Sequence, residues 1–326
     1  MSSAVETLAW VASSFLLRGR VEDAESSQSL TLDHSSWQPL GHVGVSVDDL
    51  GFRQSVVAVE RLRTYNGRVI ELRPHLIRYR RTLEFLGIDA CVDEAAISSR
   101  IDELIAKNRS WCASEHDFGI TMLATPGEMA PVRSDLSSLG GNQQTVTQIV
   151  HLNPLEHEKI HHHQFCGQPL VVTDVKQPPA ESWPRDIKVR CRLHYYLADR
   201  RAREFANGGV GVLIDADGSI TETSVANLAV VVDGEMISPP REQVLPGVTQ
   251  DVVQRIASGM AIRWRQETIY PAELRTADEI ILMGTDGGIW FANRVDGHPI
   301  NGGQPGAIYK QLLNSFDDYV RRPKDH

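Results

Sequence analysis

Three turn dipeptides, Asn66-Gly67, Asp217-Gly218 and Asp233-Gly234, each stand between two apolar, strand-like runs. Each is a strong hairpin signal, so the chain is committed to tight antiparallel pairing at three points. Helical patterns lie between them. In "RPHLIRYRRTLEFLGI" (73–88), Leu76, Leu83 and Leu86 keep helical spacing, with His75 and Arg78 three apart on one side. A second helix is expected over 186–205, with Leu193, Leu197 and Phe205 as its apolar stripe and Asn207-Gly208 as its stop. A third follows Gly247, with Thr249 as N-cap and Asp251 in the first turn.

The chain has 326 residues, 41% hydrophobic and 23% charged, enough for two domains with separate cores. A net charge of -9 argues against a nucleic-acid or anionic-membrane partner, which needs a positive face. The arginine clusters at Arg78, Arg80, Arg81 and at Arg200, Arg201, Arg203 read as solvated helix faces. Cys91, Cys112, Cys166 and Cys191 form no C-x-x-C pair, so they are expected to be packing residues in a reducing, cytoplasmic setting. The apolar opening lacks a basic leader and is broken by Ser13 and Ser14, so neither a signal peptide nor a membrane span is expected. From 140 onward, "GGNQQ" and "HLNPLEHEKIHHHQFCG" show no period and read as a linker. His157, His161, His162 and His163 crowd it, but a flexible linker lacks the fixed geometry a metal needs, and no metal site is expected.

Glu222 is the residue that calls for a chemical explanation. A carboxylate just before the apolar run "NLAVVV" must reach water or have a fixed cationic partner, because an unpaired buried charge is very costly. Nearby, "VLPGVTQDVV" delivers the chain through a Pro-Gly turn into a helix N-terminus, where free N–H groups favour an anion. The Gly-rich "LMGTDGGIW" (282–290) ends a strand with a hydroxyl and flexible backbone that could cradle oxyanions. "NGGVG" (207–211) is no dinucleotide loop, since it precedes a strand where that motif must follow one. Lys188, between a short β-like segment and a helix, is placed to present its amine to a cleft.

Taken in order, Arg78, Lys188, Glu222, Gly247-Val248-Thr249 and Gly284-Thr285 resemble the fold-type IV, pyridoxal-phosphate-dependent aminotransferases (class IV), in particular the branched-chain type. "HLIR" (75–78) looks like the family's H-x-x-R phosphate anchor. "DIK", with Leu193 five residues beyond the lysine and Leu197-Ala198 nine and ten beyond, looks like the segment of its cofactor-bearing lysine. "DADGSITETSVANLAVV" resembles its D-x-x-G-x-[IV]-T-E-x-[ST]-x-x-N signature, and "LPGVTQ" and "GTDGG" follow at the expected distances.

The resemblance implies an α/β (α+β) fold of two domains, an N-terminal α+β domain over 1–150, a linker over 151–167 and a larger C-terminal α/β pseudo-barrel domain over 168–326, with the cofactor in the cleft. It implies pyridoxal 5'-phosphate as cofactor, with Lys188 as its covalent carrier and mover of the substrate Cα proton. Glu222 becomes the partner of the pyridine nitrogen. Arg78, Val248 and Thr249 hold the phosphate, and Thr285 and Asp286 stand near phosphate or substrate carboxylate. The implied reaction moves an amino group between an L-amino acid, branched-chain or similarly apolar, and a 2-oxo acid, in a homodimer.

Departures from the pattern mark the substrate side. In "DLGFRQSVVAVE" (49–60), Asp49, Gly51 and Glu60 persist, whereas Gln54, Ser55 and Val59 replace pocket positions of the relatives. Leu193 stands where branched-chain enzymes carry a tyrosine, and Tyr195 and Tyr196 are expected to point elsewhere on the helix. Pro126 replaces the arginine with which D-amino-acid transaminases grip substrate, which counts against D-amino acids. Two other readings compete: a lyase of the aminodeoxychorismate type on the same fold, and a non-catalytic cofactor-binding homologue.

Overall fold

The computed structural model describes residues 6–13, 34–90, 92–128 and 146–322, so Cys91 and the "GGNQQ" stretch lie outside the described residues. In chain order the elements are β1 (Leu8–Ser13), β2 (His34–Pro39), α1 (Leu50–Gln54), β3 (Ala58–Tyr65), β4 (Arg68–Val69), α2 (Leu72–Leu86), α3 (Glu94–Lys107), α4 (Arg109–Glu115), β5 (Gly119–Thr125) and β6 (Thr147–Asn153). There follow α5 (His157–Cys166), β7 (Gln168–Lys176), α6 (Leu193–Phe205), β8 (Val210–Ile214), β9 (Ile220–Thr223), β10 (Asn227–Val232), β11 (Glu235–Ser238) and α7 (Val248–Gly259). The chain closes with β12 (Trp264–Gln266), α8 (Pro271–Thr276), β13 (Glu279–Gly284), β14 (Gly288–Val295), β15 (His298–Pro299) and α9 (Ala307–Arg321). Two compact units result. Met1–Arg61, His75–Pro154 and Lys188–Cys191 make the first; Leu62–Pro74, Leu155–Ile187 and Arg192–His326 make the second.

In the first unit, strands run in the order β2-β1-β6-β5-β3, with the β2–β1, β1–β6 and β6–β5 pairs antiparallel. Ile120, Met122 and Leu152 are buried on this sheet, together with Leu104 of α3. A short extended segment pairs with β3: the Val59 amide donates to the Lys188 carbonyl at 3.0 Å, the Arg190 amide to the Val57 carbonyl at 3.1 Å, and Ala58 faces Val189 in an isolated antiparallel bridge. Lys188 is therefore fixed by backbone pairing rather than left on a free loop.

In the second unit a mixed sheet runs β12-β11-β10-β13-β14-β7-β8-β9, with β15 against β14. Its centre is apolar on both faces. Leu228, Val230, Ile280 and Leu282 enter one core; Ala229, Val231, Ile281 and Met283 enter the other with Val252 of α7 and Leu312 of α9. Burial on both faces explains why "NLAVVV" and "EIILMG" read as nearly unbroken apolar runs instead of alternating.

All three expected turns are present. Asn66 and Gly67 (φ 53° and 71°) and Asp233 and Gly234 (φ 51° and 78°) take left-handed conformations at both positions, and Gly218 has φ 85°. The 186–205 helix begins later than its pattern suggests, at Leu193, because residues 188–190 are held extended by β3. Its apolar stripe is also different: Leu193 and Phe205 are 65% and 61% exposed, while Ala198 and Ala202 are buried. The cause is Gly211 on β8. A Cβ there would meet the Ala198 backbone at 2.5 Å, so helix and strand lie too close for larger side chains. Gly247, not Thr249, occupies the N-cap of α7; Val248 and Thr249 are its first two residues. The 151–167 stretch, expected to be irregular, holds the end of β6 and the whole of α5.

Among the described cysteines only Cys112 is a buried packing residue; Cys191 is half-buried and Cys166 exposed. Among the described residues no helix is long and apolar enough to cross a membrane, and no group of three potential metal ligands forms. On α5, His163 stacks on Trp290 with ring centroids 6.4 Å apart.

Candidate active site

In the first unit, Lys188 and Arg78 are joined through one hydroxyl. Thr82, one turn beyond Arg78 on α2, accepts the Lys188 amide at 3.0 Å and donates to the Arg78 carbonyl at 3.0 Å. Arg78 is buried, which corrects its reading as part of a solvated face. Its guanidinium grips Glu60 of β3 with both arms, Nε to Oε2 at 3.0 Å and Nη2 to Oε1 at 2.6 Å. His75 Nδ1 lies 3.0 Å from the same Oε1. Burial alone would push the Glu60 carboxyl up, but the Arg78 charge and the His75 hydrogen bond outweigh it and hold the group well below the usual carboxylate range. Burial, only partly opposed by the hydrogen bond with Glu60, pushes His75 down, so the imidazole stays neutral. The H-x-x-R spacing thus places histidine and arginine on one helix face against one buried anion.

In the second unit, Glu222 near the end of β9 is 5% exposed, yet its carboxylate is well supplied with donors. Gln177 Nε2 and the Tyr195 hydroxyl donate to Oε1 at 2.9 and 2.6 Å; Asn227 Nδ2 and the Leu245 amide donate to Oε2 at 3.1 and 3.2 Å. Tyr195 thus meets Glu222, a contact that its place in the sequence did not suggest. With α6 starting at Leu193, Tyr195 falls in the first turn and reaches the carboxylate.

Asn227 carries this network toward α7. Its Nδ2 also donates to the Leu245 carbonyl at 2.8 Å, and two residues later Gly247 approaches so closely that a Cβ would overlap Asn227 Oδ1. The α7 N-terminus that follows has no side-chain cap, which leaves its first-turn amides to an anion or water. Val248 is buried and Thr249 half-buried.

Thr285 and Asp286 lie in the β13–β14 turn, and Asn227 pairs with Met283 on the adjoining strand. A Cβ on Gly284 would meet the Val225 carbonyl at 2.5 Å, so this turn is pressed onto the segment that follows Glu222. Arg63, buried on β3, donates to the Asp286 carbonyl and stacks over Tyr65 at 4.2 Å. The structure thus gathers the expected residues into two groups, Lys188 with Arg78 in the first unit, and Glu222 with Val248, Thr249, Thr285 and Asp286 in the second.

A family model, Amino-transferase class IV, matches residues 58–295. The chain belongs to the class IV aminotransferases. Among curated relatives of this family, it is 25% identical over 279 residues to a D-alanine aminotransferase of Staphylococcus aureus (strain MSSA476), covering 85% of this chain and 92% of that one. It is 28% identical over 276 residues to a putative branched-chain-amino-acid aminotransferase of Methanocaldococcus jannaschii, covering 84% and 90%. In fold it is similar to the branched-chain aminotransferase of the thermophilic archaeon Thermoproteus uzoniensis, solved with norvaline, with a TM-score of 0.75, 20% identity, and 87% and 92% of the two chains covered. The mixed α/β architecture is that of the fold-type IV aminotransferases, and the chain is a transaminase.

The residues present suit pyridoxal phosphate. An uncapped helix start offers amides to a phosphate, a fixed carboxylate offers a partner to a ring nitrogen, and the buried Ser224 hydroxyl, two residues beyond Glu222, has no hydrogen-bond partner among the described residues. Asn227 was visible in the sequence signature without a role. Tyr195 and Gln177 carried no readable signal, because Gln177 precedes Glu222 by 45 residues.

Proposed function

We propose that this class IV aminotransferase uses Lys188 as the cofactor-bearing lysine and Glu222 as the partner of the ring nitrogen, and acts on L-amino acids with branched or similarly apolar side chains. The observation that carries the reading is the Glu222 carboxylate, buried and fixed on both oxygens by side-chain and backbone donors. A carboxylate held rigid in that way suits a protonated pyridine nitrogen. Bound pyridoxal phosphate supplies the electron sink that stabilises negative charge at the substrate's Cα. Glu222, kept anionic, holds a proton at the ring nitrogen. Lys188 Nζ would take the proton from substrate Cα and deliver it to the cofactor's C4′ carbon, the atom that carries the lysine before substrate binds. Arg78 and the Val248 and Thr249 amides hold the phosphate, and the Thr285 hydroxyl with the Asp286 amide orients the substrate carboxylate.

The apolar preference is supported by Val59, buried beside the Lys188 carbonyl, and by Pro126, which places no cation where D-specific relatives need one. A homodimer is supported by the family resemblance and by Phe52, Ile77 and Phe85, which stand 71%, 59% and 50% exposed on the first unit. The free cysteines support a cytoplasmic setting.

The experiment is a single-turnover absorbance assay of the holoenzyme against a panel of L- and D-amino acids, with light scattering alongside. Leucine, isoleucine or valine in the L-form should convert the cofactor fastest, in a particle of twice the chain mass. Faster turnover of D-alanine would overturn the substrate assignment, and release of pyruvate without an acceptor would mark a lyase.

A further inference from the structure

The Tyr195 hydroxyl stands in a closed triangle. It donates to Glu222 Oε1 at 2.6 Å and accepts from Gln177 Nε2 at 3.3 Å, while the same Nε2 atom donates to Oε1 at 2.9 Å. Accepting one hydrogen bond polarises a hydroxyl and strengthens the one it donates. The ring is clamped as well. The Arg192 guanidinium lies over it, 4.4 Å from the centroid, and the His194 ring lies 4.1 Å away, centroid to centroid. Arg192 also donates to the Ser224 carbonyl, two residues beyond Glu222, so the clamp and the carboxylate are tied to one stretch of chain.

These contacts bear on where a proton rests. A carboxylate facing a ring nitrogen away from water can stay an anion beside a protonated ring, or take the proton and leave both groups neutral. Desolvation favours the neutral pair; donors on the carboxylate favour the ionic one. Of these four donors, the tyrosine hydroxyl makes the shortest contact, at 2.6 Å, and O–H donors to an anion are the stronger kind. A cation over the ring face withdraws charge from the phenol and improves it further.

We propose that Tyr195, clamped by Arg192, is a positioning residue that keeps Glu222 ionised and so keeps the proton on the cofactor's ring nitrogen. The inference rests on the reading of Glu222 as that nitrogen's partner. It assigns to the seventh residue after Lys188 a task on the ring's nitrogen side, distinct from any contact with the substrate. Burial and the Glu222 charge raise the phenol well above its usual range, so Tyr195 serves as a donor and not as an acid.

The test is nitrogen NMR of the holoenzyme carrying ¹⁵N-labelled pyridoxal phosphate, for the wild type and for Glu222→Gln, Tyr195→Phe and Tyr196→Phe. In the wild type the ring nitrogen should resonate as protonated, and Glu222→Gln should move it to the neutral position. Tyr195→Phe should move it part of the way and lower kcat about tenfold with KM little changed, the size expected for one charge-assisted hydrogen bond. Tyr196→Phe, altering an exposed neighbour, should leave the resonance where it was. If Tyr195→Phe does not fold, Gln177→Met removes a donor to the same oxygen and should shift the resonance the same way. A resonance moved by Glu222→Gln but by neither Tyr195→Phe nor Gln177→Met overturns this inference and leaves Glu222 in its role. A resonance that is neutral in the wild type and unmoved by Glu222→Gln overturns the role of Glu222, and this inference with it.

Discussion

Arg78 closes on Glu60 with two parallel hydrogen bonds of 3.0 and 2.6 Å, and Glu60 has no exposed surface at all. A planar fork on a planar carboxylate fixes the guanidinium in orientation as well as position. Under the proposed role of Arg78 at the phosphate, that fixed orientation matters, because a loose side chain would first have to be ordered. Glu60 is thereby the orienting group for Arg78.

Glu60→Gln leaves Arg78 buried opposite a neutral amide. Breaking a buried pair by removing one charge costs about 3–5 kcal/mol. Urea unfolding of the apo-protein should show a loss of that order, and equilibrium dialysis should show weaker retention of pyridoxal phosphate. An unchanged unfolding midpoint would mean that solvent or another anion already compensates Arg78.

The same cluster sets an acid limit on stability. His75 is depressed from 6.5 in the folded chain, so the unfolded chain binds the extra proton first; its contribution is full above pH 6.5 and fades as pH falls below it. Glu60 is depressed from 4.5, so its contribution is full above pH 4.5 and is lost below, as the unfolded carboxylate protonates. Unfolding free energy should therefore fall in two stages on acidification. In His75→Gln the stage beginning near pH 6.5 should shrink, while the one below pH 4.5 remains.

Gly247→Ala tests the joint between Glu222 and α7. The added methyl overlaps Asn227 Oδ1, and Asn227 holds both Glu222 and the Leu245 carbonyl. Overpacking of this kind costs about 1–3 kcal/mol. Thermal melting should register the loss, and cofactor affinity should fall with it, because the helix start shifts relative to the carboxylate. Gly259→Ala at the far end of α7, where a methyl meets nothing, is the control and should leave affinity unchanged.

Much of this was legible in the sequence because it depends on local pattern. The hairpins follow from Asn-Gly and Asp-Gly pairs, α2 from its leucine spacing, and the Glu222 segment from a charge placed before an apolar strand. What was illegible depends on contacts between distant segments. The start of α6 is set by residues 188–190 pairing with β3, and its small buried face by Gly211 on β8. Neither relation has a local signal, so Leu193 and Phe205 looked like core and are exposed. The contact of Tyr195 with Glu222 likewise joins segments 27 residues apart and has no local signal. The 151–167 stretch failed differently: its histidines give α5 no apolar period of the usual kind, and its order comes from packing on β14, where Asn293 Nδ2 donates to the Cys166 carbonyl and Gln164 Nε2 to that of Ile289.

The most direct test of the central claim, that this transaminase carries its cofactor on Lys188, is borohydride reduction of the holoenzyme followed by mass mapping of its peptides. One phosphopyridoxyl group per chain should appear on the peptide holding Lys188. Lys188→Ala should lose the label while melting close to the wild type, because the backbone bonds of Lys188 to Val59 and Thr82 need no side chain. A label on any other lysine, or an undiminished label in Lys188→Ala, would contradict the assignment.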